Sequence, residues 1–284
     1  MDWIHFVKKE NYTENYVQEH EDYPVCTWNQ WRRIRKKWDV QEEDVLVVFD
    51  DKMNYVRTCP ANEKNCTYVM MSTSEIDANW AFPILKKYIH ATDIVCVFPF
   101  SFYEEVKTEA DWNRIYKKGQ GMEYAEHTDI FKKYGISEKQ IMWANYFTDT
   151  KQEIEAKLEQ SSIVMLTGGA PDLMMKRIKE FKLKPLLKNY QGLMIGYSAG
   201  AMIELDTYHI SPDDEYPQFK YETGLGCLHG FAIEPHYRAT KVQKQSIEKV
   251  LDEKKIPVYG IYEKGGLLIH DDTISCFGKV DCFE

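Results

Sequence analysis

The chain has 284 residues, 44% hydrophobic and 29% charged, long enough for one large domain or a domain with an appendage. Its net charge of -9 leaves no basic excess for general nucleic-acid binding. No apolar run approaches membrane-spanning length, and Asp2, Lys8, Lys9 and Glu10 stand where a secretory leader would be apolar. Seven scattered cysteines without a Cys-x-x-Cys pair fit reduced thiols in a cytoplasmic protein better than a disulfide framework or a zinc site.

Residues 1–65 read as an appendage, whose first 43 or so residues differ from the rest in composition, with four tryptophans among many charges. Within it, residues 29–38 predict a short basic helix bearing Trp31, Ile34 and Trp38 on one face. Residues 45–49 and 55–59 predict a hairpin around the polar turn 50–54. From residue 66 strands and helices alternate, the mark of a parallel sheet covered on both faces. Strands are expected at 68–71, 93–98, 140–145, 162–166 and 192–197, and helices at 79–89, 111–116, 122–134, 151–159 and 173–181. Residues 211–221, polar and proline-bearing, read as an excursion loop. A strand at 231–233, a helix at 243–253, a strand at 258–262 and a hairpin of 267–270 with 273–277 complete the domain, which runs over 66–284.

The most informative stretch is Leu193-Met194-Ile195-Gly196-Tyr197-Ser198-Ala199-Gly200-Ala201. An apolar run meeting Gly-x-Ser-x-Gly, followed by small and apolar residues at helical spacing, is how a sharp strand-to-helix corner reads when a serine sits at its tip. A hydroxyl there is unhindered and lies at a helix N-terminus, where the dipole favours developing negative charge. Such a serine needs a base and a group that orients the base. In open α/β sheets these gather at the carboxyl ends of strands. Of the eight histidines only His236 and His270 follow a strand downstream of the corner; His209 falls beside the excursion loop. Glu263 also follows a strand directly, giving Ser198, His236 and Glu263 as one trio, with a Ser198–His236 hydrogen bond expected. The competing trio is Ser198, Asp252 and His270. Gly168-Gly169 ends the strand before the corner, so backbone N–H groups there could join that of Ala199 in an oxyanion hole.

Gly168-Gly169, Gly196-Tyr197-Ser198-Ala199-Gly200, Ile233-Glu234-Pro235-His236-Tyr237 and Tyr259-Gly260-Ile261-Tyr262-Glu263 together resemble, in order and rough spacing, the S51 peptidases. That family includes aspartyl dipeptidase (peptidase E) and, more distantly, cyanophycinase. The resemblance covers about residues 66–284 and implies a three-layer flavodoxin-like sandwich of the class I glutamine-amidotransferase type. It implies Ser198 as nucleophile, His236 as base, Glu263 as orienter, and the N–H groups of Gly169 and Ala199 as oxyanion donors. It further implies hydrolysis of small peptides after an N-terminal aspartate, through an acyl-enzyme. Gly168, Ala170, Tyr197 and Arg238 are then the expected substrate-binding residues, Arg238 as a cation for the acidic side chain. No cofactor or metal, nucleic acid or membrane is implied; the oligomeric state stays open, a homo-oligomer included. The chain departs from the family pattern at Ala170-Pro171-Asp172, at Tyr197 and at Lys264.

Overall fold

The computed structural model describes residues 3–12, 26–27, 31, 41, 44–49, 52–60, 66–270 and 273–284. The chain divides into two compact units, Met1–Asn65 and Cys66–Glu284. In the first, β1 (Trp3–Val7), β2 (Cys26–Thr27), β3 (Val45–Phe49) and β4 (Tyr55–Pro60) form an antiparallel sheet in the order β2-β1-β3-β4. Five consecutive apolar residues fill β3, and all are buried. Apart from Trp31, the basic helix expected at 29–38 lies outside the described residues, as do residues 50 and 51 of the turn expected at 50–54. Trp31 is buried and stacks on Phe6, their ring centroids 5.0 Å apart, so that tryptophan packs rather than faces water.

The second unit opens with β5 (Thr67–Met71), α1 (Phe82–Leu85), β6 (Val95–Phe98), α2 (Glu109–Tyr116), α3 (Tyr124–Asp129) and β7 (Ile141–Trp143). It continues with α4 (Lys151–Gln160), β8 (Ile163–Leu166), α5 (Pro171–Glu180), α6 (Lys184–Lys188), β9 (Leu193–Tyr197) and α7 (Ala199–Glu204). Then follow β10 (Thr207–Ile210), β11 (Lys220–Thr223), β12 (Ala232–Glu234), α8 (Lys241–Lys254), β13 (Val258–His270) and β14 (Thr273–Phe283). The sheet runs β12-β13-β5-β9-β8-β6-β7, with β14 on β13. Its pairings are parallel except those of β13 with β5 and with β14.

Side-chain alternation along the strands makes the layers. Met70, Cys96, Phe98, Val164, Leu166 and Met194 enter one core, beneath Ile154, Leu158, Met174 and Ile178 of α4 and α5. Their neighbours Val69, Met71, Val95, Val97, Ile163, Met165 and Ile195 enter the other, against Leu85, Phe131 and Tyr134. Successive residues of a strand face opposite ways, so continuous apolar runs must be covered twice. The result is the three-layer, mostly parallel sandwich that the strand–helix alternation implies.

Three expectations need correction. The helix expected at 79–89 is helical only at Phe82–Leu85, because Pro83 fits only the first turn of a helix. The helix expected at 122–134 breaks into α3 and a separate 3₁₀ turn, Lys132–Tyr134, which ends at Gly135 with φ 81°. The strand at 258–262 and the arm at 267–270 are one strand, β13, paired with β14 on either side of an irregular register between Ile261 and Gly265. Part of the excursion loop is also ordered, since β11 pairs antiparallel with β10.

Candidate active site

At the end of β9 the chain turns into α7 within one residue. Ser198 has φ 51° and ψ -118°, a conformation that costs a non-glycine residue about 1–3 kcal/mol and persists only when neighbours hold it. Its N–H donates to Met71 O at 2.9 Å and its carbonyl accepts from Met202 N–H at 3.1 Å, so both sides of the corner are pinned. Gly200 lies so close to β8 that a Cβ there would collide with the Leu166 carbonyl. The hydroxyl makes no cap to its own helix and faces a cavity of about 450 Å³.

His236 lies on the same cavity, just beyond β12. Its Nδ1 is 2.9 Å from Glu263 Oε2, while Arg238 donates to Glu263 Oε1 at 2.9 Å. Partial burial works to raise the Glu263 pKa, but the hydrogen bonds from Arg238 and His236 outweigh it, leaving it below the ordinary carboxylate value. His236 is itself held at φ 53°. Ser72, at the end of β5, donates through Oγ to Ile261 O at 2.8 Å and accepts from His236 N–H at 2.9 Å. Gln243 Nε2 donates to His236 O at 3.0 Å, and Thr73 Oγ1 to Glu263 O at 3.2 Å. Two hydroxyls just beyond β5 therefore tie the main chain of His236 and of Glu263 to the sheet.

The expected Ser198–His236 hydrogen bond is not formed: among the described residues Ser198 Oγ has no hydrogen-bond partner, although both groups line one cavity. Bonds of this kind are commonly long without substrate and tighten when it binds. The competing trio is excluded by topology. His270 Nδ1 is 2.8 Å from Thr67 Oγ1, at the start of β5, whereas Ser198 follows the end of the parallel strand β9. A strand of five residues, about 16 Å at 3.3 Å per residue, separates the two edges. Asp252, on α8, has an exposed side chain that lies 3.9 Å from the Lys255 ammonium.

Gly169 lines the cavity with φ 132°, and a Cβ there would collide with Ser101 O. Among the described residues neither the Gly169 nor the Ala199 N–H has a protein acceptor. The adjacent Ala170 N–H, by contrast, is bonded to Ser101 O at 2.7 Å.

The other expected substrate contacts divide. Arg238 reaches the lining. Ala170 does not, being fully buried at the start of α5. Tyr197 and Gly168 do not either. The tyrosine ring packs over Gly168, and its hydroxyl lies 2.5 Å from His127 Nε2. Burial lowers the His127 pKa; its Nδ1 lies 2.7 Å from Glu123 O and donates to it, so the neutral ring accepts from Tyr197. These residues shape the glycine turn from behind rather than touching the cavity.

The model of peptidase family S51 matches residues 120–277. The chain belongs to peptidase family S51. Two solved structures share its fold. One is a candidate peptidase E from Listeria monocytogenes EGD-e, 17% identical, with a TM-score of 0.54, covering 76% of this chain and 99% of that one. The other is a peptidase from an acI-B1 Actinobacterium, 16% identical, with a TM-score of 0.50, covering 77% and 89%. No curated protein matches. Among the described residues no helix is long and apolar enough to cross a membrane.

This S51 chain also places residues in its cavity that sequence reasoning passed over. His209, on β10, and Glu234, on β12, are buried and joined at 2.8 Å, with Ser211 donating to the same carboxylate oxygen at 2.7 Å. Glu234 is the last residue of β12, two before His236, and that nearness in the chain to a candidate site residue is the signal that points to it.

Proposed function

We propose that this peptidase is a serine hydrolase that cleaves small peptides through an acyl-enzyme on Ser198. His236 takes the serine proton and returns it to the leaving amine, and Glu263 holds the imidazole in the tautomer that presents Nε2 to Ser198. The N–H groups of Gly169 and Ala199 stabilise the tetrahedral oxyanion, a contribution of about 3–4 kcal/mol in the best-measured hydrolase. The observation that carries this reading is the His236–Glu263 hydrogen bond at 2.9 Å, on the cavity into which the strained Ser198 projects. For cleavage after an N-terminal aspartate, Arg238 is the cation on the lining for the substrate carboxylate, with Glu263 already engaging one of its nitrogens. The unbridged thiols Cys96, Cys227, Cys276 and Cys282 support a reducing, cytoplasmic setting.

An alkyl fluorophosphonate should label the wild-type chain and not Ser198→Ala, and Asp-X dipeptides should be cleaved by the former alone. The missing Ser198–His236 hydrogen bond favours one rival, a binding protein that kept the fold without the chemistry. Absence of both labelling and cleavage in the wild type would establish that rival.

A further inference from the structure

Glu234 is 4% exposed, yet it stands in the wall of the cavity that holds Ser198 and His236. Its Oε2 accepts twice, from His209 Nε2 at 2.8 Å and from Ser211 Oγ at 2.7 Å. Its Oε1 has no partner among the described residues and is not sealed in the interior, so its lone pairs open onto the cavity. An ionised carboxylate only accepts, with room for about four hydrogen bonds. One left short of donors in a nearly buried wall calls for a donor from outside.

The surrounding charge has the same sense. Asp213 and Glu215 also line the cavity. Asp213 Oδ1 is taken by the N–H groups of Glu215 and Tyr216 at 2.9 and 2.6 Å, and Tyr103 donates to Glu215. Arg238 is the one lysine or arginine on the lining among the described residues, and it is drawn to Glu263. Three carboxylates and one guanidinium on the lining give this cavity an acidic excess, which favours a cationic donor beside Glu234.

We infer that Glu234 binds an ammonium group of the substrate, so that this peptidase acts on peptides carrying a free amine close to the scissile bond. The inference rests on the hydrolase reading of the same site. His209 and Ser211 are positioning residues: by holding Oε2 they turn Oε1 toward the cavity. The ammonium is either the N-terminal α-amine or the side chain of a lysine, and the same contact serves both.

The test uses the full-length chain and aminoalkyl diphenyl phosphonates, which acylate-site serines attack. One is an alanine analogue with its amine free; a second is its N-acetyl form, and a third an N-acetyl lysine analogue. Wild type should react with the free amine about tenfold or more faster than with the acetyl form, the weight of one hydrogen bond between charged groups. Glu234→Gln should bring that ratio to about one, and Glu234→Asp should keep part of it. A fast acetyl-lysine probe would assign the contact to the side-chain ammonium. A wild-type ratio near one for both amines, or a ratio that Glu234→Gln leaves intact, would overturn the assignment. The alkyl fluorophosphonate reports separately on Ser198. If it fails to label, the hydrolase reading falls, and the Glu234 contact is read from calorimetric binding of the same probes to Ser198→Ala. There equal binding of the free and acetylated forms would overturn it.

Discussion

Glu204 closes α7, six residues after Ser198, and is fully buried with neither carboxylate oxygen hydrogen-bonded. Its Oε1 lies against Gly196, 2.5 Å from where a Cβ on that glycine would stand. Burial raises its pKa well above the ordinary glutamate value of 4.5. Between 4.5 and the folded value, the native chain holds a proton that the unfolded chain has lost. The stability this group contributes is therefore whole below pH 4.5, falls as pH rises from there, and is gone once pH has passed the folded value. The slope is about 1.4 kcal/mol per pH unit, the free energy of one pKa unit. Glu204→Gln keeps the shape and removes the titration. Its amide still lacks a partner, a cost of about 1–3 kcal/mol that does not vary with pH. Urea denaturation followed by tryptophan fluorescence from pH 5 to 8 should therefore show wild type losing stability relative to Glu204→Gln as pH rises. Two parallel curves would refute the reasoning, since they would mean that Glu204 titrates alike in both states.

Other outcomes follow from single contacts. Ser72→Ala removes the hydroxyl that joins His236 N–H to Ile261 O; turnover of the best peptide should fall about tenfold or more at little cost in KM, as for loss of one hydrogen bond near a reacting group. Tyr197→Phe leaves His127 Nε2 without its partner, which should cost about 1–3 kcal/mol in a thermal or urea melt and slow fluorophosphonate labelling. Arg238→Ala frees Glu263 Oε1 and should weaken cleavage of Asp-X peptides more than of Ala-X peptides; an equal loss on both would remove Arg238 from substrate recognition.

The features legible in the sequence are those whose signal is local. The elbow is written in contiguous residues, and His236 and Glu263 each follow directly on an apolar strand. What depends on distant pairing was not legible. Residues 263–266 fall between the strands expected at 258–262 and 267–270, yet they lie within β13, where Gly265 and Gly266 pair with β14 and Gly266 also with β5. His209 looked like a loop-side histidine because its partner, Glu234, is 25 residues away across an excursion of prolines and acids. Tyr197, Gly168 and Ala170 lie beside site residues in the chain, but adjacency along a strand or turn sends neighbouring side chains to different faces.

The irregular register of β13 has a consequence for how this site can vary. Glu263 falls between Ile261 and Gly265, where pairing with β14 slips. Below the slip β13 pairs with β12, and above it with β5. Strand side chains alternate faces, so gaining or losing one residue in this short window would turn the carboxylate to the far side of the sheet without breaking either flanking ladder. Such a chain would fold and be inert. Length in this window is thus under tighter constraint than residue identity, and insertions or deletions here separate stability from chemistry in a way that point substitutions do not.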